Sequence, residues 1–130
     1  MNRTVLLIED NEQNRYLATF LLERSGFTVA SAVDGLSGIN LAQTLMPDLI
    51  LLDIQLPTMD GHAVARLLSS DATLHRIPIV AVTSHAMAGD RERCLEAGCN
   101  GYIEKPINPD TFIEQISAYF GVRSSGPGAA

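Results

Sequence analysis

The chain has 130 residues, 46% of them apolar, and a formal net charge of -6. That is enough for one core without disulfides or structural metals, and it excludes a largely disordered chain. Basic residues occur only in scattered pairs such as Arg91 and Arg93, which weighs against direct nucleic-acid binding, where phosphate neutralisation supplies most of the non-specific affinity.

In chain order, Val5-Leu6-Leu7-Ile8 is a first strand that stops at Glu9-Asp10, far too short for a signal sequence or a membrane span. Helix one places Leu17, Phe20, Leu21 and Arg24 at helical spacing and ends at Gly26, where a left-handed cap suits glycine. Residues 27–32 alternate, with Phe27, Val29 and Ala30 against Thr28 and Ser31, as an edge strand does. Helix two covers about residues 36–45, with Leu36, Ile39, Ala42 and Leu45 on one stripe and Pro47 as its stop.

Leu49-Ile50-Leu51-Leu52 and Ile79-Val80-Ala81-Val82 are continuous apolar runs, the mark of strands buried on both faces. Between them helix three, about residues 61–69, offers Val64, Leu67 and Leu68 to a core. Helix four is expected near residues 87–97 with a stop at Gly98, and Gly101-Tyr102-Ile103 is a second edge strand. Helix five opens with Asn108 as cap and Pro109 at the first helical position, then buries Phe112, Ile113, Ile116 and Phe120. Runs one, three and four inside, with two and five outside, suggest a doubly wound α/β fold. Its five-stranded parallel sheet has the order 2-1-3-4-5 and helices on both faces, the flavodoxin-like winding. The expected domain spans residues 1–121. The Gly/Pro/Ser-rich stretch 122–130 reads as a flexible tail, so any output is expected to pass through protein partners unless the chain is a piece of a longer one.

Cys94 and Cys99 lie five positions apart with no flanking histidine. That spacing fits neither a zinc knuckle nor a redox pair, so they are expected to be buried thiols in a reducing, cytoplasmic setting. His62 and His75 fall on expected helix and loop surfaces with no partner pattern and are given no role.

Sites in such sheets form at the carboxyl ends of the strands, beside the reversal of winding. Strand one ends in Glu9-Asp10, strand three in Asp53, strand four in Thr83-Ser84, and strand five is followed by Glu104-Lys105-Pro106. Three clustered carboxylates cannot all stay ionised without a counter-charge, and Lys105 alone does not balance them. A hard dication with oxygen ligands does, which points to magnesium or manganese. Acids, cation, lysine and hydroxyl together are a phosphoryl-handling set, each group stabilising charge on a phosphate oxygen.

The segments Leu6-Leu7-Ile8-Glu9-Asp10-Asn11, Asp48-Leu49-Ile50-Leu51-Leu52-Asp53-Ile54-Gln55-Leu56-Pro57-Thr58-Met59-Asp60-Gly61, Val80-Ala81-Val82-Thr83 and Tyr102-Ile103-Glu104-Lys105-Pro106 resemble response-regulator receiver domains. The resemblance runs from residue 3 to about residue 121. The stretches around Asp10 to Asn14 and Thr83 to Met87 look like stand-alone regulators of the DivK kind, and equally like the receivers of hybrid histidine kinases.

The resemblance implies that Asp53 accepts a phosphoryl group from a histidine kinase, a histidine phosphotransfer protein or a small phosphodonor. Asp10, Asp53 and the backbone carbonyl of Gln55 would bind the cation, with Glu9 acting through a water. Lys105 and Thr83 would each hold a phosphoryl oxygen, and Pro106 would follow a cis peptide. Tyr102 would be the switch aromatic that moves when Thr83 does, changing a docking surface of helix four, strand five and helix five. Many receivers carry alanine where this chain has Ser84; Gln55, Ser84 and His85 are therefore expected to tune phosphoryl lifetime. The domain would catalyse only its own phosphorylation and dephosphorylation, as a monomer or weak dimer.

Three other readings fit these residues less well. A haloacid-dehalogenase phosphatase needs a second acid two residues after Asp53, where Gln55 stands. A flavin mononucleotide carrier needs a Ser/Thr/Gly-rich loop after strand one, where Glu9-Asp10-Asn11-Glu12 would repel phosphate. A receiver-fold scaffold without phosphorylation has no use for a repulsive acid cluster.

Overall fold

The continuous apolar runs form the centre of a single parallel sheet. A computed structural model describes residues 3–56, 58–84 and 88–122, with strands β1 (Thr4–Ile8), β2 (Thr28–Ala32), β3 (Leu49–Asp53), β4 (Ile79–Thr83) and β5 (Gly101–Glu104). Their order is β2-β1-β3-β4-β5 and every pairing is parallel, as the sequence suggested. β3 and β4 are buried throughout, whereas β2 exposes Thr28 and Ser31 and β5 exposes Glu104, which is the contrast between central and edge strands. Residues from 123 on, most of the expected tail, lie outside the described residues, as does His85.

Five helices connect the strands: α1 (Glu12–Arg24), α2 (Gly35–Leu45), α3 (Gly61–Ser70), α4 (Asp90–Glu96) and α5 (Phe112–Ser117). Successive strand residues point to opposite faces, so the core divides in two. Leu6, Ile8, Ile50, Leu52, Ile79 and Ala81 pack with Ala42 of α2, Val64 and Leu68 of α3 and Cys94 of α4. Val5, Leu7, Leu49, Leu51, Val80 and Val82 pack with Ala18 and Leu22 of α1 and with Phe112 and Ile116 of α5. Each fully buried side chain of leucine size contributes about 1.5–3 kcal/mol, which makes the sheet the rigid platform on which the strand ends are held. No helix among the described residues is long and apolar enough to cross a membrane.

The helix faces differ from the expected stripes, and the reason is size. In α2 the buried positions are Gly35, Gly38 and Ala42, while Leu36 and Leu45 are exposed. A Cβ on Gly38 would come within 2.5 Å of the Ile8 side chain, so small residues let α2 lie directly on β1. In α1 the buried pair is Ala18 and Leu22, and Phe20 is about half exposed. In α3 Val64 and Leu68 are buried as expected, but Leu67 is turned outward and His62 and Ala65 turn inward.

Boundaries shift as well. α4 begins at Asp90 rather than near residue 87. α5 begins at Phe112: Asn108 and Pro109 lie in a preceding turn, in which the Phe112 N–H donates to the Asn108 carbonyl and the Asp110 N–H to the Asn108 side chain. Gly26 and Gly98 do take the left-handed conformation expected of helix stops, with φ of 93° and 108°.

One contact ties the fold to the end of β3. The Gly61 N–H donates to the Ile54 carbonyl at 3.1 Å, and a Cβ at Gly61 would lie 2.7 Å from that oxygen. Because the obstruction is backbone, it cannot turn aside as a side chain would. Gly61→Ala is expected to lower the unfolding free energy by roughly 1–3 kcal/mol, read as a lower urea midpoint at unchanged slope.

Candidate functional site

The carboxyl ends of β1, β3, β4 and β5 form one rim, and most of the residues picked from the sequence meet there. Asp53 ends β3 and Thr83 ends β4, both buried. Glu9, directly after β1, is buried, whereas its neighbour Asp10 is exposed. Asn11 then caps α1, accepting from the Asn14 N–H at 2.9 Å, and the Arg15 guanidinium donates to the Glu9 and Asp10 carbonyls at 3.0 and 3.3 Å. The turn that presents both acids is thus fixed from the helix side.

Glu9, Asp10 and Asp53 each offer a carboxylate oxygen, and these oxygens lie within 4.8 Å of one another. Lys105 enters from beyond β5, its Nζ 2.9 Å from Glu9 Oε1 and 3.4 Å from Asp53 Oδ2. The peptide between Lys105 and Pro106 is cis. The Gln55 N–H donates to Asp53 Oδ1 at 2.9 Å. Burial, and after it the Glu9 carboxyl, pushes the Asp53 carboxyl above its ordinary range; the Gln55 N–H and the Lys105 charge pull the other way and only partly offset this. An all-oxygen donor set with a surplus of negative charge fits a hard dication such as magnesium.

Gln55 makes side-chain contacts beyond the backbone and rate-tuning roles expected of it. Its side-chain Nε2 donates to the Thr83 hydroxyl at 2.5 Å, and its Oε1 accepts from the Ser84 N–H at 3.1 Å and the Ser84 hydroxyl at 3.2 Å. One side chain therefore joins the end of β3 to the end of β4. Its partners lie 28 and 29 residues away, and nothing local in the sequence marks that contact.

Tyr102 sits on β5 opposite Ala81 and on the same sheet face as Thr83, by the parallel register. Its hydroxyl donates to Asp90 Oδ2 at 2.8 Å, which ties β5 to the start of α4. Asp90 was not among the expected residues. Nor was His62, which is 6% exposed rather than on the helix surface, with Nδ1 3.1 Å from Asp60 and Nε2 directed at Asp90 and Cys94. The imidazole turns inward because α3 is the middle helix on its face, flanked by α2 and α4. His75 is exposed, as expected.

Comparison with known proteins agrees with this geometry. The family model for the response regulator receiver domain matches residues 5–117. The chain is 46% identical over 121 residues to the polar-differentiation response regulator DivK of Brucella ovis, covering 93% of this chain and 98% of that protein. The receiver domain of sensor histidine kinase PA1611 from Pseudomonas aeruginosa, with a magnesium ion in its active-site cleft, superposes with a TM-score of 0.79 at 33% identity, covering 90% of this chain and 99% of that one. The chemotaxis protein CheY4 of Vibrio cholerae shares the fold, with a TM-score of 0.86 at 24% identity over 91% and 98% of the two chains. With the family model spanning the whole sheet and a relative of almost equal length this similar, the chain belongs to the response regulator receiver domains.

Proposed function

We propose that the chain is a phosphoacceptor switch, taking a phosphoryl group onto Asp53 from a histidine kinase or a histidine phosphotransfer protein. The observation that carries this reading is the cup itself: three acids from the ends of two strands, β1 and β3, within 4.8 Å, with Lys105 reaching two of them.

Asp10, Asp53 and the Gln55 carbonyl would hold a magnesium or manganese ion, with Glu9 reaching it through water. When bound, that ion neutralises charge on the phosphoryl oxygens. An Asp53 carboxylate oxygen attacks phosphorus, forming the Asp53 O–P bond as the P–N bond to the donor imidazole breaks and the imidazole leaves with its electron pair. Lys105 exchanges its contact with Asp53 Oδ2 for a phosphoryl oxygen. The Thr83 hydroxyl accepts a bond from Gln55, so donating toward the phosphoryl group changes how the end of β4 is held. Tyr102, on the same face, follows, and the surface of α4, β5 and α5 shifts between two populations that partners distinguish. The only reaction catalysed is the domain's own phosphorylation and its reversal by water. Gln55 and Ser84 stand at the approach to Asp53 and set the rate of that reversal, together with His85.

Incubation with magnesium and acetyl phosphate is expected to add the mass of one phosphate. Chelator or Asp53→Asn is expected to abolish it. A folded, magnesium-loaded protein that never gains the mass would overturn the reading and leave the scaffold alternative.

Two further outcomes follow from the cup. Ser84→Ala and Gln55→Ala are expected to speed decay of the phosphorylated form by roughly 3–10-fold, about 1 kcal/mol of barrier. Decay at the wild-type rate in both variants would remove them from the hydrolysis step. For the metal-free protein, a carboxyl raised in the folded state favours folding below the unfolded carboxylate value, and that contribution is lost as pH rises through the folded value. At neutral pH without metal, Asp53→Asn is therefore expected to melt higher than wild type, read by thermal unfolding. Saturating magnesium should narrow the gap.

A further inference from the structure

Beneath the α3–α4 side of the sheet lies a second cluster that the acid cup does not use. His62 Nε2 is 3.6 Å from Cys94 Sγ and 3.7 Å from Asp90 Oδ1, and all three residues are buried, Cys94 completely. In a tetrahedral site with bonds of about 2.3 Å to sulfur and 2.0–2.1 Å to nitrogen or oxygen, ligand atoms stand roughly 3.3–3.6 Å apart. Both spacings from His62 Nε2 are therefore close to those of ligands, and the three ligand atoms all lie within 4.8 Å of one another.

His62 and Asp90 each have a partner behind them. His62 Nδ1 faces Asp60 Oδ1 at 3.1 Å, which leaves the Nε2 lone pair turned into the cluster. Asp90 Oδ2 accepts from the Tyr102 hydroxyl at 2.8 Å, leaving Oδ1 toward His62. Cys99, a second buried free thiol, packs in the same cluster as Cys94. Carboxylate behind imidazole and hydroxyl behind carboxylate are the supports that orient metal ligands. A cavity of about 290 Å³, lined by Gln55, Asp60, His62, Ala88, Asp90 and Arg93, opens onto His62 and Asp90 and gives a small ion access. Arg93 in that wall opposes long-range attraction of a cation, so chelation must supply the affinity.

We propose that His62, Asp90 and Cys94 form a binding site for a zinc-type dication, separate from the acid cup, with water from the cavity as the fourth ligand. The mixed nitrogen, oxygen and thiolate set selects a borderline-soft ion over magnesium, which favours all-oxygen surroundings. On binding, the Cys94 thiol gives its proton to solvent as the sulfur–metal bond forms. Because Asp90 also holds the Tyr102 hydroxyl, an occupied site fixes β5 against α4. The proposal does not depend on phosphoryl chemistry, and failure of either leaves the other standing.

The test is titration of the full chain with zinc against a chromophoric chelator, in excess magnesium to fill the cup, followed by cobalt(II) substitution. One zinc per chain is expected, and the cobalt form should show a thiolate-to-cobalt charge-transfer band with tetrahedral visible bands. Cys94→Ser should remove that band and weaken zinc binding at least about 100-fold, and Asp60→Asn should weaken it about 10-fold. Asp53→Asn should leave it unchanged. Zinc uptake that survives Cys94→Ser, or that disappears in Asp53→Asn, overturns the proposal. So does a wild-type cobalt form without the thiolate band, an outcome readable even if a variant does not fold.

Discussion

Like charges forced together at the ends of separate strands are the constraint around which this molecule is arranged. Glu9 and Asp53 are both almost fully buried with carboxylate oxygens close together, and Asp10 adds a third at the exposed edge. Lys105 compensates part of this charge at 2.9 and 3.4 Å, but one ammonium cannot balance the group. Removing water from such a cluster raises the free energy of its ionised form, and Asp53 carries that cost as a carboxyl displaced upward from its ordinary range. The two buried sheet faces hold the acids where they are. Relief comes from whatever positive charge the rim can recruit, and Asp53, the displaced carboxyl, is the group that gains most from it.

The polar links around the rim run through side chains that join one strand end to the next. Gln55 connects β3 to Thr83 and Ser84, Lys105 connects β5 to Glu9 and Asp53, and Tyr102 connects β5 to α4 through Asp90. A change of charge at Asp53 therefore alters partners on three strands at once.

The sheet order and the acid rim were legible because they rest on local signals. Continuous apolar runs mark central strands, and the residue that ends each run is the residue at the rim; Asp53 after Leu49-Ile50-Leu51-Leu52 is the clearest instance. Helix faces were less legible because hydropathy weights large residues, whereas close packing of α2 on β1 requires small ones. Leu36 and Leu45 drew attention that belonged to Gly35 and Gly38. His62 was misplaced for a different reason: its neighbour Cys94 lies 32 residues on, and only the packing of α3 against α4 brings them together. The bonds from the Gln55 side chain to Thr83 and Ser84 were hidden in the same way.

The two sides of the sheet are chemically unlike. Toward α1 and α5 the buried residues are apolar apart from Glu9 and Asp53 at the rim, whereas toward α3 and α4 they include His62, Thr83 and Asp90, with Tyr102 partly covered beside them. Water competes for hydrogen-bonded groups far better than for Leu or Phe, and α4 is only seven residues long. Backbone amides of α4 and β5 should thus exchange with deuterium through local opening, well before those of α1 and the strands it covers. The molecule carries its softest region next to its site and its stiffest region behind it.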